Sequence, residues 1–251
     1  MRGWCGFLAV IALGAVSPAQ AIDWPAVRDR TRTDTSSLVT IDRKPTATQL
    51  GLGAAALALL AATDAHFSDE AQRHLPGSLV HLQSGGTQGA ANLVALGMVG
   101  EGLLLSDRRG TVGGLTLLEG DVLLDLVLQA SKRAFGRVRP DRTQAGDFFR
   151  GGDSFPSSHA AHAFLIAAEL DATVDRPAWR WVFYPLAGGV ALERLQQGVH
   201  FPTDVAVGGL LGWWIGHRLA VAHELVPRPG GARVGLLPVR GGAIVTVGWS
   251  R

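Results

Sequence analysis

Apolar residues in this chain gather into long blocks separated by short stretches rich in Gly, Pro, Arg and Asp. The blocks predict six helices, roughly over 46–63, 89–105, 113–130, 158–172, 179–195 and 202–224, and so an all-α helical bundle. After Pro227 the pattern changes: Pro-Arg-Pro-Gly-Gly precedes two short apolar stretches flanking Gly241-Gly242, which reads as a C-terminal β-hairpin. Ahead of the first block, 22–45 is polar and threonine-rich, without clear periodicity. Residues 1–21 carry Arg2, the apolar stretch Phe7 to Val16 and then Ala19-Gln20-Ala21, the makings of an export signal cleaved after Ala21. The predicted organisation is therefore a signal peptide (1–21), an N-terminal arm (22–45), the bundle (46–226) and a tail (227–251).

At 251 residues and 47% hydrophobic, the chain suffices for one helical domain with a full core. A net charge of +2 is too small to argue for nucleic acid, while a pI near 9.2 would not repel an anionic lipid surface. Cys5 is the only cysteine and would leave with the signal, so the mature chain has no disulfide to form. A bilayer needs about 20 apolar residues per crossing. The first block is alanine-rich and brief, the second contains Glu101, and the third contains Glu119, Asp121 and Asp125, charges that are costly at depth. The expectation is an exported, periplasmic bundle in contact with a membrane surface. An integral inner-membrane bundle is the alternative, to which Trp213, Trp214 and the glycines of the last block are suited.

Candidate chemistry lies at the block ends. Lys132-Arg-Ala-Phe-Gly-Arg-Val-Arg139-Pro140 sets two fixed cations seven residues apart; taken alone, it is an ordinary basic helix end. Phe155-Pro156-Ser157-Ser158-His159 leads into an apolar run, placing hydroxyls and amides at a helix N-terminus, a natural anion site as well as a plain helix start. Arg194-Leu-Gln-Gln-Gly-Val-His200-Phe-Pro-Thr-Asp204 puts a histidine and a carboxylate one helical turn apart. That carboxylate could hold the imidazole for attack on phosphorus or simply cap the helix.

In order and spacing the three segments resemble the type 2 phosphatidic acid phosphatase superfamily, which includes bacterial acid phosphatases and vanadium-dependent haloperoxidases. Lys132, six residues and Arg139-Pro140 match its first motif; Pro156-Ser157-Ser158-His159 its second; Arg194, five residues, His200, three residues and Asp204 its third. Ser158 stands where glycine is usual, and Glu193 where serine is usual. The resemblance implies that Lys132, Arg139, Ser157, Ser158 and Arg194 bind phosphate, that His200 is the nucleophile, Asp204 its orienting partner and His159 the general acid. No cofactor or metal is implied. The function so read is hydrolysis of a phosphomonoester or lipid (pyro)phosphate through a phosphohistidine. A vanadate-dependent haloperoxidase and a noncatalytic anion-binding protein are alternatives. Glu193 beside Arg194 could compete for its guanidinium.

The remaining ionisable residues attract plainer readings. Glu119, Asp121 and Asp125 fit a solvated helix face. His162, one turn after His159, lacks a third metal ligand at convincing spacing and reads as a packed or surface histidine. His66, His74 and His81 fall in the expected loop between the first two helices.

Overall fold

The computed structural model describes residues 47–74, 86–174, 176–226, 232–239 and 242–249. The expected signal, the arm and His81 lie outside the described residues. Six α-helices follow one another: α1 (Ala47–His74), α2 (Gly86–Leu104), α3 (Arg108–Phe135), α4 (Ser158–Val174), α5 (Arg180–Gln196) and α6 (Pro202–Ala222). A 3-10 turn, Pro177–Trp179, precedes α5, and strands β1 (Ala232–Val239) and β2 (Gly242–Trp249) form the antiparallel hairpin, with Val239 opposite Gly242.

Two helices outrun their apolar blocks. The first reaches His74 rather than Thr63, which puts His66 and His74 on α1 instead of in a loop. Polar pairs at helical spacing line this extension, including Glu70 with His74 at 3.2 Å. Helix α3 starts under an Asp107 cap, whose carboxylate accepts from the amides of Arg109 and Gly110 at 2.9 and 3.1 Å. It ends at Gly136, where φ is +49° and the amide donates to the Lys132 carbonyl at 2.9 Å. Glycine adopts this left-handed stop without the steric cost a Cβ brings. The result fixes Lys132 in the last turn of α3.

Helix α4 is the hub. Its Leu165 joins Leu117, Leu124 and Leu128 of α3 and Ile215 and Leu219 of α6 in the main core; full burial of each such side chain contributes roughly 1.5–3 kcal/mol. Against α6 the approach is closer than side chains permit. A Cβ on Gly208 would lie 2.4 Å from the Ser157 carbonyl oxygen, and one on Gly212 would lie 1.9 Å from that of Ala161. The glycine face of α6 thus lets the two helices run parallel in near backbone contact, bringing both N-termini to one end of the bundle.

The outside of the bundle is apolar. Leu52 (68% exposed) on α1, Leu93 (73%) on α2, Leu126 (64%) on α3, Trp181 (78%) on α5 and Leu210 (61%) on α6 all face outward. Two stretches, Gly51–His74 and Pro202–Ala222, are long and apolar enough to cross a membrane.

Candidate active site

The three sequence segments converge at the end of the bundle where α3 and α5 finish and α4 and α6 begin. From Gly136 to Ser157 the chain is knit to itself: Val138 donates to Asp147 at 2.9 Å, Gly152 to Gly136 at 3.0 Å and Ser154 to Arg137 at 3.0 Å. Gly152 has no room for a side chain, since a Cβ there would lie 2.1 Å from the Arg137 carbonyl oxygen. The Ser157 amide then donates to the Asp204 carbonyl at 2.9 Å, joining the second segment to the third.

Asp204 is wholly buried and serves several partners. Its Oδ2 accepts from Ser154 Oγ at 2.5 Å and from the Phe201 amide at 2.9 Å, while Oδ1 accepts from Arg137 Nη1 at 2.7 Å. The Phe201 bond is a helix-start cap, so the capping role and a place beside the histidine coexist in one carboxylate. His200, also buried, holds Nδ1 3.7 Å from Asp204 Oδ2. Ser157 is fully buried, and its Oγ has no hydrogen-bond partner among the described residues. Ser158 and His159 are the first two residues of α4, half-buried.

Among the cations, Arg139 donates from Nε and Nη2 to the two oxygens of Asp153, at 2.8 and 2.9 Å. Partial burial would raise the Asp153 pKa, but the Arg139 hydrogen bonds and the charges of Arg139 and Lys132 hold it below the usual carboxylate range. Asp153 therefore lies between two of the expected phosphate-binding cations. Arg194 is buried at the end of α5, its Nε without a hydrogen-bond partner among the described residues, and its Nη2 lies 3.2 Å from Glu193 Oε1. Glu193 does not point away, although the same oxygen also accepts from Gln197 at 2.9 Å.

Residues 114–226, a span containing all three segments, match the PAP2 superfamily. The chain is 31% identical over 130 residues to a lipid A 1-phosphatase of Rhizobium etli, a match over 49% of this chain and 53% of that one. It is 33% identical over 118 residues to an undecaprenyl-diphosphatase of Sulfolobus acidocaldarius, over 45% and 56% respectively. It thus spans about half the length of these curated relatives. Among solved structures, LpxE of Aquifex aeolicus aligns over 84% of this chain and 99% of that one, at 19% identity and a TM-score of 0.39.

Several residues that hold this candidate site together escaped the sequence reading. Arg137 is 4% exposed and donates to Asp204, to Thr203 Oγ1 at 2.7 Å and to Asp64 Oδ2 at 2.8 Å. It also lies over the rings of Phe148 and Phe201, 4.8 and 4.1 Å from their centroids. Asp64 of α1 further accepts from the Thr203 amide at 2.9 Å and from its hydroxyl. A buried ion network of this kind, with both carboxylates hydrogen-bonded, sets the start of α6 against α1. Arg137 sits within the first motif segment and its charge was visible there; Asp64, 73 residues earlier, gave no signal.

His162 is packed, the first of its two sequence readings, whereas the acids of α3 differ from theirs. His162 is 2% exposed, and its Nε2 lies 3.2 Å from Asp121 Oδ1 and 3.3 Å from Asp125 Oδ1. Asp121 is buried as well, so the α3 acids do not form a solvated face. Glu119 pairs with His223 at 2.9 Å.

Proposed function

We propose that this protein is a phosphatase acting on a lipid phosphate or pyrophosphate, through a phosphohistidine on His200, from within a membrane. The observation that carries the reading is the convergence of Lys132 to Pro140, Ser154 to His159 and Arg194 to Asp204 at one end of a bundle whose sides are apolar. The PAP2 match of 114–226 and the relatives named lipid A 1-phosphatase and undecaprenyl-diphosphatase support it.

In this mechanism Lys132, Arg139 and Arg194 grip the non-bridging oxygens, with the Ser157 hydroxyl and the Ser158 amide completing the cradle. These preorganised charges stabilise the transition state, which is where electrostatics contribute most. His200 Nε2 attacks phosphorus as the bond to the leaving oxygen breaks, and His159 gives that oxygen a proton. Asp204 Oδ2, 3.7 Å from His200 Nδ1, is the carboxylate oxygen placed to keep the proton of His200 on Nδ1. Water, deprotonated by His159, then hydrolyses the phosphohistidine to inorganic phosphate and free His200. The positive charge that this chemistry needs comes from side chains.

The outward-facing leucines and tryptophans of five helices favour the integral membrane placement over a bundle in periplasmic solution. They favour a lipid substrate for the same reason. Phosphate release by the detergent-purified chain is expected to be faster on phosphatidate than on a soluble phosphomonoester, and to disappear in His200→Ala. Faster turnover of the soluble ester would contradict the lipid assignment. Undiminished turnover in His200→Ala would contradict the mechanism.

A further inference from the structure

We propose that Asp121, Asp125 and His162 bind one divalent transition-metal cation, zinc or one of similar ligand preference, which clamps α3 to α4 next to the phosphate site. The site is separate from the phosphoryl chemistry. One ligand atom from each of the three residues falls within 4.8 Å of the others. His162 Nε2 is 3.2 and 3.3 Å from the two carboxylate oxygens. Two ligands each about 2.0–2.2 Å from a common cation lie roughly 3–3.5 Å apart, so the two histidine–carboxylate separations suit joint coordination.

The imidazole is oriented for the task. His162 Nδ1 lies 2.7 Å from the Ser158 carbonyl oxygen, and because a carbonyl only accepts, Nδ1 carries the proton. A ring nitrogen bound to a backbone carbonyl is the usual support for metal ligation through the other nitrogen. That other nitrogen, Nε2, faces two carboxylates, and neither it nor Asp121 Oδ1 makes a hydrogen bond among the described residues. An Nε2 lone pair aimed at two anions is repelled unless something positive lies between them. A proton there leaves the cluster with one net negative charge, whereas a divalent cation on a neutral imidazole brings two carboxylates to zero. Neutrality is favoured because His162 and Asp121 are buried between helices. Asp125 is 34% exposed and leaves a side from which a cation and a completing water can enter. Nitrogen and oxygen donors in this mixture suit zinc or manganese better than magnesium or calcium.

The placement gives the cation a purpose. Asp121 and Asp125 are one turn apart on α3, whose last turn holds Lys132; His162 is one turn past His159 on α4. Joining them fixes the helix that supplies a phosphate cation to the one that supplies the acid.

The test uses the full chain in detergent, stripped with chelator, desalted, and reloaded with zinc chloride or, separately, manganese chloride. About one ion per chain should survive desalting, measured by inductively coupled plasma mass spectrometry, with a rise in Tm. Cobalt loaded instead should give the visible absorption of a nitrogen and oxygen ligand set. Asp121→Asn and His162→Gln should each weaken retention by about tenfold or more. Glu119→Gln, which alters a neighbouring acid on α3, and His200→Ala, which alters the phosphate site, should retain the ion. Wild-type protein that holds no ion, with unmoved Tm and no cobalt spectrum, overturns the proposal and leaves an imidazolium between two carboxylates. Equal retention by folded His162→Gln, or loss in His200→Ala, overturns it by placing the ion elsewhere. The wild-type measurements decide even if a variant fails to fold.

Discussion

Arg137 and Asp153 show how differently two charges near the proposed phosphate site can act. Arg137 is enclosed, its guanidinium shared by Asp64, Asp204 and Thr203, and removing it would leave two buried carboxylates without their cation. Loss of one partner from a buried pair typically costs about 3–5 kcal/mol, so Arg137→Met should lower the midpoint of thermal unfolding in detergent sharply. Arg137→Lys should restore little, because an ammonium cannot reproduce the forked contacts. An unchanged midpoint in Arg137→Met would show that the network is not structural. Asp153, by contrast, is 62% exposed at its side chain and occupies the fork of Arg139. A phosphate must displace it or share the guanidinium, and exposed pairs contribute only about 0–1 kcal/mol. Asp153→Asn is therefore expected to tighten inhibition by inorganic phosphate by about 2- to 5-fold; weaker inhibition would mean that Asp153 positions Arg139. The depressed pKa of Asp153 fixes the sign of its own contribution to stability: the pairing is in force above the ordinary carboxylate range and is lost as pH falls through the lowered value. Lys132, Arg139, Arg194, His200 and Asp204 were legible as candidates because each lies within a short contiguous segment next to a helix end. Asp64 and Ser154 were not, since their partners are set by tertiary packing.

At the level of elements, the six helices were readable from apolar runs, but two of their ends were not. Helix α3 continues beyond Ala130 through Ser131, Lys132 and Arg133, residues that interrupt the apolar run without interrupting the helix. The stop lay in a different signal, a basic last turn followed by Gly136. Helix α1 likewise continues through a polar segment that no apolar periodicity could reveal. The reading of the α3 acids as a solvated face failed for a related reason. Seen along one helix, Asp121 and Asp125 look like a surface stripe and His162 lacks a third ligand; only the packing of α3 on α4 joins them. The contact of α4 with α6 depends on glycine. Gly212→Val has no space beside the Ala161 carbonyl and must push the helices apart, at about 1–3 kcal/mol for overpacking and more where backbone has to shift. Because α6 carries Asp204 and α4 carries His159, kcat should fall together with Tm. A Gly212→Val protein with wild-type kcat and Tm would show that close approach of α4 and α6 is not what positions the site.

For the whole molecule, the sequence alone favoured an exported periplasmic bundle resting on a membrane surface over one that spans it, because acids interrupt its second and third apolar blocks. The structure shows why the acids of the third block weigh less than their count suggests: Asp121 is buried against His162 and Glu119 meets His223, while many leucines and tryptophans lie on the outer surface. Charges paired inside a bundle do not face lipid. The full chain is accordingly expected to stay in the membrane fraction through an alkaline carbonate wash and to need detergent for extraction; release into the wash would place it in solution. The central claim, that His200 carries the phosphoryl group, has a more direct test. The detergent-purified chain would be mixed with phosphatidate, quenched in alkali within the first turnovers, digested and examined by mass spectrometry for acid-labile phosphate. Phosphate is expected on His200 in the wild type and none in His200→Ala. Phosphate on another residue, or continued turnover of phosphatidate by His200→Ala, would contradict it.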